Sequence, residues 1–109
     1  MSREKGNQAE DKAVEFLFDI GFVIQERNFY SRFGEIDIIA SKDEVIHFIE
    51  VKSGDDYEKA IQNITPTKLS RLIKTANVYM KKNSYDGDFQ LDAVVVTSMQ
   101  IELVENITL

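Results

Sequence analysis

Two closely spaced apolar runs, Gly34-Glu35-Ile36-Asp37-Ile38-Ile39-Ala40 and Phe48-Ile49-Glu50-Val51-Lys52, constrain this chain more than any other feature. Each has the length and apolar content of a β-strand, and the polar Ser41-Lys42-Asp43-Glu44 between them predicts an antiparallel hairpin. Side chains leave a strand on alternate faces, so Glu35, Asp37 and Ile39 share one face of the first strand. Ile46, Phe48, Glu50 and Lys52 share a face of the second. An even-length hairpin loop pairs odd positions with even ones and brings Asp37, Glu50 and Lys52 onto one surface. Carboxylates crowded with an ammonium group on an apolar sheet repel and desolvate one another. Folding alone does not favour that arrangement; metal binding or catalysis does.

A length of 109 residues predicts a single compact domain over 1–109. Apolar residues at 43%, charged residues at 29%, one proline and five glycines exclude the collagen-like and disordered classes. The absence of cysteine excludes disulfides, thiolate metal sites and a cysteine nucleophile. Met1 to Asn7 lacks the apolar core of a signal peptide, and no apolar run reaches bilayer length, so the expected location is the cytoplasm, away from membranes. The net charge of −6 argues against bulk nonspecific DNA binding. Its distribution is uneven: Thr65 to Tyr85 carries Lys68, Arg71, Lys74, Lys81 and Lys82 and no acidic residue.

Ala9, Ala13, Phe16, Leu17 and Ile20 recur at helical spacing, and Gly21 stands where a C-terminal cap belongs. Phe22 to Tyr30 reads as a first strand and Ser31-Arg32-Phe33-Gly34 as a turn into the hairpin. Tyr57 to Ile64 is open between a short helix and a loop. Thr65-Pro66 starts a helix with an N-cap and a first-position proline, with Leu69, Leu72, Ile73, Ala76 and Met80 as its buried stripe. After the Asp86-Gly87-Asp88 turn, Phe89 to Thr97 reads as a central strand and Ile101 to Val104 as an edge strand. The order predicts an α/β domain with a mixed β-sheet flanked by helices.

An aspartate followed by Glu-x-Lys on the neighbouring strand suits phosphodiester hydrolysis. Asp37 and Glu50 are hard oxygen donors matched to Mg²⁺ or Mn²⁺. Such an ion lowers the pKa of a bound water and neutralises charge on the phosphate. Lys52 projects to the same face as Glu50 and could orient the water or stabilise the transition state. Glu10, at the edge of the first helix's apolar stripe, could point toward the sheet and join them.

The pattern resembles the PD-(D/E)XK nuclease superfamily in its Holliday-junction-resolvase-like branch. More closely, the chain resembles the small bacterial YraN-type family of uncharacterised endonuclease-like proteins. The matching residues are Gly6-x-x-x-Glu10 with Ala13 and Leu17, then Gly21, Arg27-Asn28 and the two acidic strands. Lys68 with Leu72 and Ala76, and Asp92-Ala93-Val94, complete the match. The resemblance implies a restriction-endonuclease-like fold, Asp37 and Glu50 as metal ligands with the Val51 carbonyl completing the shell, and Lys52 as the catalytic lysine. Glu10 would be the helix glutamate, and Glu35 belongs to the family's Gly-Glu-Ile-Asp. The implied activity is Mg²⁺- or Mn²⁺-dependent cleavage of DNA, branched or damaged, ahead of RNA. The alternative is a catalytically inactive nuclease-fold module that binds nucleic acid or a protein. Resolvase-like relatives pair as homodimers, which extends that expectation here. Relatives usually carry an arginine shortly after Glu-Val-Lys and are basic; here Ser53-Gly54-Asp55-Asp56 follows and the chain is acidic.

Plainer readings stand beside these. Glu50 and Lys52 could be a surface ion pair, Glu35 a solvated strand-start residue, and Glu10 an ordinary exposed helix residue. Lys68 and Arg71 share one helix side and could meet phosphates. Arg32, among Phe29, Tyr30 and Phe33, could meet stacked bases, although such aromatics more often fill core. His47 falls on the opposite strand face and reads as a packed residue, and Asp92 reads as a strand-start residue. No glycine-rich phosphate loop appears.

Overall fold

The structure, a computed structural model, describes residues 2–108, with side chains from residue 8 onward. The elements are α1 (Ser2–Asp19), β1 (Val23–Ser31), β2 (Gly34–Lys42), β3 (Val45–Ser53), α2 (Tyr57–Gln62), α3 (Pro66–Lys82), β4 (Phe89–Val96) and β5 (Ile101–Val104). The five strands form one sheet in sequence order. β3 and β4 run parallel and the other neighbours antiparallel, so the sheet is mixed and flanked by helices, as the sequence predicts.

α1 lays Ala9, Ala13 and Leu17 on one face of the sheet, against Ile38, Ala40, Ile49 and Val94. It stops at Gly21, whose φ of +99° suits glycine and whose N–H donates to the Phe18 carbonyl. α3 covers the other face with Leu72, Ala76, Tyr79 and Met80 against Phe29, Ile36, Ile39, Phe48 and Leu91. Its Thr65 hydroxyl caps the Lys68 N–H at 3.3 Å, with Pro66 at the first helical position.

The stripe of α3 is rotated from the expected one. Thr75 and Tyr79 are buried while Ile73 is exposed, because Thr75 Oγ1 meets Ser31 Oγ at 2.8 Å and the Tyr79 ring packs edge-on against Phe29 and Phe48. The hairpin loop is also tighter than Ser41 to Glu44. Asp43 and Glu44 alone form it, both at positive φ (52° and 67°), as a two-residue hairpin turn of the twisted I′ kind requires. Residues 57–62 are helical, capped by the Asp56 carboxylate on the Glu58 N–H.

The feature that positions the site is a fork in the sheet. β2 and β3 pair from Lys42–Val45 to Ile38–Ile49, and there the ladder ends. Beyond it β2 stays with β1 through Ile36, Glu35 and Gly34, while β3 stays with β4 from Glu50 to Ser53. The β1–β2 hairpin bends over α3, carrying Ile36 into the same apolar cluster as Ile39.

The acidic fork between β2 and β3

Asp37 and Glu50 are the next residues past the last pair, one on each lip of the fork. Continuing the register would place Ile36 opposite Val51, but that pairing does not form. The Asp37 side chain substitutes for the missing strand: its Oδ2 accepts the Val51 N–H at 2.8 Å. A strand residue sends its N–H and C=O to the same edge, so the Val51 carbonyl also faces the fork.

The groups around Asp37 are anionic. Its carboxyl is pushed up from 3.8 to about 7, first by burial and then by the charges of Glu10, Glu50 and Glu35; the Val51 N–H pulls the other way. The four sequence-predicted carboxylates are therefore gathered at one place, with Asp37 half-buried at the centre and Glu35 exposed at the rim. Lys52 lies with them, its Nζ 3.3 Å from Glu50 Oε1, both side chains about a fifth exposed.

Glu10 arrives from α1 on the opposite side of the sheet from α3. It is not free. Asn28 Nδ2 donates to its two oxygens at 3.0 and 3.2 Å, and Arg27 stands 3.6 Å away while bonding Asp11 at 2.7 Å. Asn28 reaches it because the strand is irregular there: Asn28 has φ of +53°, a conformation asparagine tolerates better than most residues. Arg27 and Asn28 thus orient a site carboxylate, a role the sequence reading did not give them. The available signal was an asparagine inside a strand, where that residue is rare.

The carboxylates are close without being tightly clustered. Among the described residues, three donor groups mutually within 4.8 Å occur at His47, Asp92 and Glu105, not at Asp37, Glu50 and Glu10. Glu50 is drawn to Lys52 and Glu10 to Asn28, and like charges spread where nothing positive lies between them.

The His47 group is a polar tie within the core. Asp92 is fully buried mid-strand, which corrects its reading as a strand-start residue. Its Oδ2 lies 2.5 Å from His47 Nδ1, and its Oδ1 accepts from Gln90 Nε2 at 2.9 Å and the Asn106 N–H at 3.0 Å. Both oxygens are used in joining β3, β4 and the C-terminal segment. His47 is packed as expected, edge-on against Phe22.

The cationic candidates lie elsewhere. Lys68 and Arg71 are exposed on the first half of α3, and a Cβ on Gly34 would sit 3.8 Å from Arg71 Cβ. Arg32, at the β1–β2 tip, stacks 4.8 Å over the Phe33 ring.

Sequence comparison agrees with this whole-chain organisation. The model of an uncharacterised protein family, UPF0102, matches residues 9–96, which span α1, the fork and β4. The chain belongs to that family. A UPF0102 protein of Sulfurimonas denitrificans is 62% identical over 109 residues, covering all of both chains. One from Helicobacter hepaticus is 53% identical over 108 residues, covering 99% of this chain and 97% of the relative. One from Wolinella succinogenes is 52% identical over 109 residues, again across both whole chains. No helix among the described residues is long and apolar enough to cross a membrane.

Proposed function

We propose that the fork is the active site of a metal-dependent phosphodiesterase of the PD-(D/E)XK nuclease type, acting on DNA that is branched or damaged. The observation that carries this reading is the position of Asp37 and Glu50 on opposite lips of a split sheet, with Lys52 beside Glu50. The donor chemistry fits a hard divalent cation: carboxylate oxygens, a strand carbonyl, and an Asp37 carboxyl whose ionisation is opposed by its anionic neighbours. Asp37, Glu50 and the Val51 carbonyl would hold Mg²⁺ or Mn²⁺, with Glu10 within electrostatic reach. When bound, such an ion activates a water and neutralises charge on the phosphate.

The chain's own groups supply the rest. Lys52, held by Glu50, presents an ammonium to an incoming phosphate and to the water that attacks it. Asn28 and Arg27 hold the Glu10 carboxylate toward the fork and keep it from swinging to solvent. Asp37 keeps the lip of β3 in place through the Val51 N–H.

The test is cleavage of labelled linear, flapped and four-way DNA with Mg²⁺ or Mn²⁺. Wild type should nick at least one substrate, and Asp37→Ala and Lys52→Ala should not. Failure of wild type on every substrate with both metals would overturn the enzymatic reading. The second reading, a nuclease-fold module that binds without cutting, is favoured by one observation. It is acidity: the net charge is −6, and Lys52 is followed by Ser53-Gly54-Asp55-Asp56, which carries two carboxylates and no cation. Manganese titration by calorimetry, wild type against Glu50→Ala, separates the two.

A further inference from the structure

Outside the fork, a groove of about 990 Å³ lies between the β1–β2 tip, the second half of α3 and the turn that follows it. Its walls combine three cations, Arg32, Lys74 and Lys81, with three aromatic rings, Phe33, Tyr85 and Phe89. The combination is unusual in a chain of net charge −6; α3 carries five basic residues and no acidic one, and two of the five, Lys74 and Lys81, line the groove.

The rings are held in place. Tyr85 donates its hydroxyl to the Asp88 carbonyl, and its N–H bonds the Met80 carbonyl at 2.8 Å. Gly87 leaves room for the ring: a Cβ there would fall 2.7 Å from the Tyr85 hydroxyl. Phe89 is 44% exposed although it begins a buried strand, and its inner edge rests on Phe48. Phe33 carries Arg32 at 4.8 Å and Lys74 at 5.6 Å against its ring. Among the residues of the wall, Asp86 is the one acidic group that faces these cations.

We infer that this groove binds an unpaired, single-stranded stretch of nucleic acid. Cations spaced among partly exposed rings match a polymer that offers a flat base with every phosphate, and they match an acidic peptide less well, since its charged side chains carry no rings to stack. The groove and the fork are joined by α3 and the β1–β2 hairpin, which contribute to both. Arg71 continues the basic side of α3 to the Gly34 turn, three residues before Asp37. Glu50 and Lys52 follow Phe48 at two-residue spacing, so alternation puts them on the sheet face that α3 covers, the face on which the groove lies. The inference rests on the nuclease reading for the path to the fork, and it specifies the substrate: DNA with a single-stranded arm lying beside the cleavage point.

The experiment measures fluorescence anisotropy of a labelled twelve-nucleotide oligo-dT with the full chain in EDTA, at several salt concentrations. Three phosphate contacts predict a slope of log affinity against log salt of about −2 for a single strand. Lys74→Glu with Lys81→Glu should weaken binding at least tenfold and flatten the slope by about 1.4. Phe33→Ala should weaken binding about fivefold or more with the slope unchanged, since stacking is not a counterion effect. Circular dichroism melting of each variant verifies that the fold persists; both lysines are exposed. Absence of wild-type binding at low salt, or equal binding by the folded charge-reversed variant, overturns the inference. Metal-free binding does not depend on catalysis. Binding without any DNA cleavage would sink the nuclease reading alone, and cleavage unaffected by the groove variants would sink the groove alone.

Discussion

Replacing Asp37 by asparagine should stabilise the metal-free protein, and the gain should grow with pH. The amide oxygen of the new side chain can still accept the Val51 N–H, so the substitution removes a charge and keeps the bond that closes the fork. The folded carboxyl titrates at about 7 against 3.8 without the fold. Between those values the folded state binds the extra proton, so ionisation of Asp37 costs stability progressively as pH rises from 4 to 7. The cost is absent below the lower value and complete above the upper one. The full shift corresponds to about 4 kcal/mol. Asp37 is half-buried, and solvent screening reduces this to roughly 2 kcal/mol at pH 8 and under about 1 kcal/mol at pH 5. For a chain of this size, 2 kcal/mol raises Tm by roughly 8 °C. Thermal melts in EDTA at pH 5 and pH 8 read both values. Saturating Mn²⁺ at pH 8 should narrow or reverse the order: at a hundred times Kd a bound ion adds about 2.7 kcal/mol to wild type, and the asparagine variant captures less. An Asp37→Asn protein that melts below wild type at pH 8 in EDTA, or a gain that does not shrink at pH 5, would refute an electrostatically strained fork.

Lys52→Ala should lower cleavage by about a hundredfold or more while moving the unfolding free energy by less than about 1 kcal/mol, measured by single-turnover kinetics and denaturant titration. Asn28→Ala should weaken Mn²⁺ binding by about tenfold through loss of the two bonds to Glu10, read by calorimetry at fixed pH. Asp92→Ala should cost about 3 kcal/mol or more in urea unfolding, because it strands His47 in the core and takes the acceptor from the Asn106 N–H; its largest effect should be on stability, with Mn²⁺ affinity of the folded protein retained. Thr65→Ala should cost about 1 kcal/mol by removing the α3 cap.

What could be read from the sequence was what rests on periodicity and end signals. α1, α3, the hairpin and β5 follow from apolar spacing, Gly21, Thr65-Pro66 and Asp86-Gly87-Asp88. The meeting of Asp37, Glu50 and Lys52 follows from strand alternation and an even loop, and neither depends on distant residues. The misses have tertiary causes. Asp43 and Glu44 make a tight turn without the glycine that usually marks one. Thr75 is buried because its hydroxyl pairs with that of a serine on another element, a pairing 44 residues away that no helical pattern contains. Asp92 sits inside an apolar strand because His47, Gln90 and Asn106 satisfy it, so its burial is visible only once three separate segments are assembled. Asn28's grip on Glu10 needs a positive φ in mid-strand, which the sequence suggests only by the oddity of an asparagine there.

The fork ties stability to the proposed chemistry through a single hydrogen bond. A sheet that splits leaves strand N–H and C=O groups unpaired, and burying them unsatisfied is costly. Here one of those donors, on Val51, is satisfied by the Asp37 side chain, so the residue proposed to hold a cation also closes the gap between the strands. The matching acceptor, the Val51 carbonyl, has no strand opposite and is left facing the same space. An apolar residue at 37 would leave the N–H stranded. Restoring the Ile36–Val51 pair instead would zip β2 to β3, remove the gap, and pull Ile36 out of the α3 cluster. The acidic strand therefore cannot become an ordinary one by a single substitution: Asp37 holds the two lips apart while bridging them, and the same carboxylate bears the repulsion of Glu10, Glu50 and Glu35 that a bound cation would relieve.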